Sequence, residues 1–126
     1  MRSIGLDLGA RHIPYCEVRD GQVVDRTSVQ RLDQLKSRLG PGTAPARVAF
    51  EASREGWHVH DTLVSWGHEA KMIDTTRVRA MGVGHHKRKN DAMDAEVAAR
   101  AVDEGRIPDE GRRVPRKFHV RQAKLG

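Results

Sequence analysis

The order of apolar runs along the chain predicts an α/β fold, a mixed sheet with a three-strand antiparallel start and helices on its flanks. Three observations lead there. Short apolar segments at 3–8, 47–51 and 70–73 have the length and composition of buried strands. An Asp20-Gly21 pair between two strand-like segments supplies the positive backbone angles of a tight hairpin. After that hairpin, strands alternate with segments of helical spacing, which layers helices on a sheet.

Taken in order, residues 3–8 form a first strand that ends at Gly9. Residues 12–19 and 22–29 are the two arms of the hairpin. Leu32, Leu35 and Leu39 are spaced for a helix, and Gly40-Pro41-Gly42 stops it. Residues 47–51 make a fourth strand. Residues 56–66 make a helix closed by Gly67, with Trp57, Leu63, Val64 and Trp66 as its apolar contributors. Residues 70–73 are a fifth strand, 75–81 a short helix and 82–90 a basic loop. The clearest helix is 91–104, with Met93, Val97, Ala98 and Ala101 facing inward. From Gly105 onward, through Pro108, Gly111 and Pro115, the regular pattern lapses. This order of elements is also that of the ribonuclease H-like fold.

Length and composition narrow the function. A chain of 126 residues holds one modest core. No run of ~18 apolar residues exists to span a bilayer, so no segment reads as a membrane-spanning helix. The first residues enter a strand without the apolar stretch of a signal peptide, and Cys16 is the single cysteine, so the reading is a reducing cytoplasm.

Charge is distributed unevenly. Residues 1–70 carry nine Lys or Arg and nine Asp or Glu, whereas residues 71–126 carry fourteen against eight. A local cationic surplus matches a polyanion better than it matches a solvated surface that merely aids solubility. The expected nucleic-acid contacts are Arg77, Arg79, His85, His86, Lys87, Arg88 and Lys89 before the last helix, and Arg112, Arg113, Arg116 and Lys117 after it.

Four carboxylates stand where a hard divalent cation is well served. Asp7 and Glu51 end apolar strands, and Asp91 and Asp94 are three residues apart, which on one helix places them on nearly the same face. Each also has a purely structural explanation. Asp7 before Gly9 suits a turn, Glu51 suits a solvated strand end, and Asp91 suits a helix cap with Asp94 in the first turn. Convergence tips the balance, because neighbouring parallel strands end on one edge and ligands of open sheets gather beyond such ends. Carboxylates meeting there would hold two metals ~3.5–4 Å apart for phosphodiester chemistry.

The residues Ile4-Gly5-Leu6-Asp7, Phe50-Glu51-Ala52-Ser53 and Lys89-Asn90-Asp91-Ala92-Met93-Asp94-Ala95, followed by Ala98-Ala99-Arg100, resemble the N-terminal domain of the DEDD insertion-sequence transposases. The stretch 48–100 resembles that family most closely, with Gly56-Trp57 after the glutamate and Asp74 with Arg77 before the basic loop. What the resemblance implies is a RuvC-like domain over 1–105 in which Asp7, Glu51, Asp91 and Asp94 are both catalytic and metal-binding, with magnesium or manganese as cofactor. It further implies DNA and a structured guide RNA as partners, and a homo-oligomeric full-length recombinase that cleaves and exchanges DNA strands to move a mobile element. Residues 106–126 then form a basic tail leading toward a helical segment and a serine-bearing C-terminal domain beyond this chain. Asn90 departs from the Thr or Ser usual at that position of the family and retains its capping chemistry.

Two other readings stay open. One is a stand-alone RuvC-like metal-dependent nuclease of the Holliday-junction resolvase or ribosomal-RNA-processing type; the other is a nucleic-acid-binding remnant without catalysis. His58 and His60, two apart, point to different sides of a helix, and with Cys16 alone a zinc site is not supported. Cys16, Trp57 and Trp66 read as packing residues.

Overall fold

The computed structural model describes residues 1–9, 11–73 and 94–106. Its elements are β1 (Arg2–Leu6), β2 (Ile13–Arg19), β3 (Gln22–Val29), a 3-10 turn (Leu32–Leu35) running into α1 (Lys36–Leu39), β4 (Ala46–Glu51), α2 (Gly56–Ser65), β5 (Glu69–Ile73) and α3 (Ala95–Asp103). The strands form one mixed sheet in the order β3-β2-β1-β4-β5. The pairs β1–β2 and β2–β3 are antiparallel, while β1–β4 and β4–β5 are parallel. The expected α/β class, antiparallel start and flanking helices are all present. The expected short helix at 75–81 and basic loop at 82–90 lie outside the described residues.

The hairpin turn forms as the Asp-Gly pair dictates. Asp20 and Gly21 have φ of 51° and 80°, so both central positions are left-handed and match the twist of the flanking strands. Farther along the hairpin the register breaks. Val18 pairs with Val23, but Glu17 pairs with Asp25, so Val24 is an extra residue in β3. Beyond this bulge Arg26 sits opposite Cys16 and Ser28 opposite Pro14.

Strand alternation then sorts side chains to two faces. On one face Ile4, Leu6, Tyr15, Val48, Phe50 and Met72 pack beneath the 3-10 turn, α1 and α2. Val59 and Leu63 of α2 point inward there, whereas Val64, expected to do so, is 50% exposed. Val59 and Leu63 lie three and seven positions beyond Gly56, the buried start of α2, on one helical stripe. On the opposite face Cys16, Val18, Ala49 and Ile73 meet Ala95, Val97, Ala98, Ala99, Ala101 and Val102 of α3.

Glu17 and His68, buried polar groups in the α1-side layer, are matched. Arg2 donates to both oxygens of Glu17 at 3.3 and 3.1 Å, to the Tyr15 hydroxyl at 3.3 Å, and to the carbonyls of Arg38 and Ala44 at 3.0 and 3.1 Å. Tyr15 donates its own proton to Glu17 at 3.0 Å. Burial alone would raise the Glu17 carboxyl, but the bonds from Arg2 and Tyr15 and the nearby charges outweigh it and hold the group below its ordinary range. His68, also buried, accepts from the Ala46 amide at Nδ1 (3.0 Å) and donates from Nε2 to the Leu39 carbonyl (2.7 Å). Because an amide can only donate, the ring is fixed as the Nε2–H tautomer, tying the end of α1 to the start of β4.

Candidate functional site

Parallel pairing of β1 with β4 decides where two of the acids emerge. Leu6 is the register partner of Phe50, so the next residues, Asp7 and Glu51, leave the sheet side by side at its carboxyl edge. The Asp7 amide extends the pairing by one bond, donating to the Pro14 carbonyl at 3.1 Å. Asp7 follows Gly5 by two residues and Glu51 follows Ala49 by two. By alternation both belong to the face that α3 covers.

Gly5 explains how α3 reaches that edge. A Cβ built on Gly5 would lie 2.0 Å from the Ala95 carbonyl oxygen and 2.5 Å from the Ala99 nitrogen. Only glycine lets the helix backbone rest directly on β1. Its first residues therefore sit over the strand end, where Asp7 and Asp94 line one open depression of about 440 Å³ together with Tyr15, Arg26, Ser28 and Glu96.

The last helix begins later than its sequence suggests. Asp94 has extended backbone (φ −85°, ψ 174°) and is the N-cap of α3, its carboxylate accepting from the Val97 amide at 2.8 Å. The expectation that Asp94 lies within a helix begun at residue 91, sharing a helical face with Asp91, is therefore corrected. A cap side chain that bonds the amide three residues on completes the exposed helix end, which a mid-turn carboxylate cannot do. Asp91 itself lies outside the described residues. So do Arg77, Arg79, His85, His86, Lys87, Arg88, Lys89, Arg112, Arg113, Arg116 and Lys117.

The three described acids differ in what they already do. Asp7 accepts from the Gly9 amide at 3.1 Å, the turn that Asp-x-Gly offers. Asp94 caps α3. Glu51 is half-buried at the end of β4. Among the described residues, no three His, Cys, Asp or Glu side chains gather closely enough to hold a metal ion. The donor set itself suits a hard cation, since all three supply carboxylate oxygen and come from elements that meet at one edge. In this arrangement Asp7 and Asp94 are the pair brought into a common depression, with Glu51 beside them on the neighbouring strand.

Sequence reasoning missed the depression's other wall. Arg26 donates to Glu96 at 2.7 Å, and Glu96 also accepts from Arg100 at 2.8 Å. The bonds from Arg26 and then Arg100 hold the Glu96 carboxyl below its ordinary range. At its far end α3 is pinned to the hairpin, with Asp103 accepting from the Asp20 and Gly21 amides at 3.3 and 2.8 Å, and Arg100 donating to the Gly21 carbonyl at 2.9 Å. Hairpin and helix are thus braced together at both ends of α3, by Arg26 with Glu96 near the acids and by Asp103 with the turn far from them.

The histidines of α2 belong elsewhere. His58 is exposed, and His60 contacts Asp61 at 3.0 Å and the edge of Trp57 at a centroid distance of 4.7 Å. No helix among the described residues is long and apolar enough to cross a membrane. No family model matches the chain, and no curated protein matches it.

Proposed function

We propose that this chain is the N-terminal, RuvC-like catalytic domain of a DNA transposase or recombinase of the DEDD insertion-sequence type, built on a ribonuclease H-like sheet. The observation that carries the reading is the meeting of Asp7 and Asp94 in one depression at the carboxyl edge of β1, with Glu51 adjacent on parallel β4. Residues drawn from positions 7, 51 and 94 reach one edge, as the acid motifs require. Asp7, Glu51, Asp91 and Asp94 would hold magnesium or manganese. When bound, such a metal pair supplies Lewis acidity to the attacking and leaving oxygens of a phosphodiester. The chain's own part is to keep carboxylates on rigid elements, Asp7 by strand pairing and Asp94 by the cap of α3. The basic segments around residues 77–89 and 112–117 would take the backbones of DNA and a structured guide RNA, and strand exchange would call on a serine-bearing domain of a longer, oligomeric protein.

Titration calorimetry with manganese, run on the chain and on Asp7→Ala and Asp94→Ala, tests the acid site. Binding by the native chain and its loss in both variants supports the reading; equal binding in all three overturns it. Incubation with manganese and branched DNA then separates the alternatives. Cleavage by the chain alone identifies a free-standing nuclease, whereas DNA binding without any metal binding identifies a non-catalytic remnant.

A further inference from the structure

Arg26 is the cation nearest to the acid pair among the residues lining the depression, and its position depends on two separate devices. The bulge at Val24 turns it onto the α3 face, opposite Cys16. Glu96 then holds its guanidinium by a 2.7 Å ion pair while leaving the side chain 58% exposed. Glu96 is shared with Arg100, so its carboxylate is not given to Arg26 alone. Ser28, two residues further along β3 on the same face, adds a hydroxyl to the lining.

We infer that Arg26 is a phosphate-positioning residue for a DNA strand laid across the depression, a role that rests on the nucleic-acid reading above. A guanidinium offers a planar fork of donors suited to phosphate oxygens, and the pair with Glu96 removes much of the conformational freedom that an unpaired arginine would lose on binding. Asp7 and Asp94 line the same depression, so a phosphodiester held by Arg26 lies beside the acids rather than along the outer sheet surface. Repulsion between the DNA and the acids is offset at the same point.

The test measures binding of the full chain to fluorescently labelled branched DNA by anisotropy, without divalent metal, over a series of potassium chloride concentrations. Arg26→Ala should weaken binding several-fold and reduce the slope of log affinity against log salt by roughly one, as loss of one phosphate contact requires. Arg26→Lys, which keeps the charge, should retain the slope. Arg47→Ala is the matched control. Arg47 likewise pairs with a glutamate, Glu69 at 2.8 Å, but stands at the opposite end of β4 from Glu51, and its removal should leave the slope unchanged. Binding by the native chain with an unaltered slope in Arg26→Ala overturns this inference alone. Absence of DNA binding by the native chain overturns it together with the proposed function.

Discussion

The face of the sheet beneath α1 and α2 is filled by Leu6, Tyr15, Phe50, Trp57 and Leu63, whereas the face beneath α3 adds to Val18, Ile73, Val97 and Val102 a set of small residues, Gly5, Cys16, Ala49, Ala98 and Ala99. Large side chains remove more apolar area from water, at about 25 cal/mol per Å², and so carry more of the stability. They also hold a helix a full side chain away from the strands. Small residues bury less, but they let backbone meet backbone, and backbone contacts yield little to thermal motion or substitution. The α2 layer is therefore built for cohesion and the α3 layer for placement. Placement is what carboxylates on different elements need.

Substitutions on the two faces should separate these roles. Phe50→Ala, in the cohesive layer, should cost about 3–5 kcal/mol in urea unfolding and leave the manganese affinity of the folded protein unchanged. Gly5→Ala should cost at least about 1–3 kcal/mol and also weaken manganese binding, because the added methyl meets the Ala95 carbonyl and the Ala99 amide and must displace α3. If Phe50→Ala were the variant that impaired the metal site and Gly5→Ala the one that did not, the division of labour between the faces would fail.

A finer cut falls on Asp94. Asp94→Ala should lose about 1 kcal/mol with the cap of α3 and lose metal binding as well. Asp94→Asn keeps a capping oxygen and should hold stability to within a few tenths of a kcal/mol, while calorimetry shows metal binding lost. Retention of metal by the asparagine variant would confine Asp94 to capping.

Acid titration gives the smallest contrast. Glu17 and Glu96 both titrate below the ordinary glutamate value of 4.5, and Asp25, bonded by Arg38, titrates below the ordinary aspartate value of 3.8. The folded chain thus binds fewer protons than the unfolded chain. The stability these groups contribute is complete above their unfolded values and drains away as the pH falls through their lower folded ones. Glu17 lies in the cohesive layer with its side chain 7% exposed, while the Glu96 side chain is 35% exposed and better screened. Urea midpoints measured from pH 6 down to about pH 2, spanning the window in which paired carboxylates protonate, should therefore flatten more in Glu17→Gln than in Glu96→Gln.

Much of this arrangement was legible from residue order. Asp20-Gly21 announced the hairpin, and the alternation of strands with helices after it implied the parallel pairing that sets Asp7 beside Glu51. The hairpin is decided within a few residues, whereas the pairing of Leu6 with Phe50 joins distant parts of the chain and follows from the order of elements. The start of α3 was harder, because Asn90, Asp91 and Asp94 all carry capping chemistry and composition does not choose among them. Val59 and Val64 were confused for a similar reason: both are apolar, and only contact with the sheet settles which turns inward. Arg26 and Ser28 cannot be placed from the turn alone, because regular pairing counted outward from it puts Asp25, not Arg26, opposite Cys16.

That offset shows what the bulge at Val24 does. By taking up one residue that β2 does not match, it moves every later residue of β3 one place from where uninterrupted pairing would put it. Were Val24 paired across from Glu17 instead, Asp25 would stand opposite Cys16 beside Asp7, Asp94 and Glu96, and Arg26 would turn away toward α1. One bulge, at a valine 49% exposed and with no donor or acceptor on its side chain, thereby decides that a guanidinium and not a further carboxylate stands on the β3 wall.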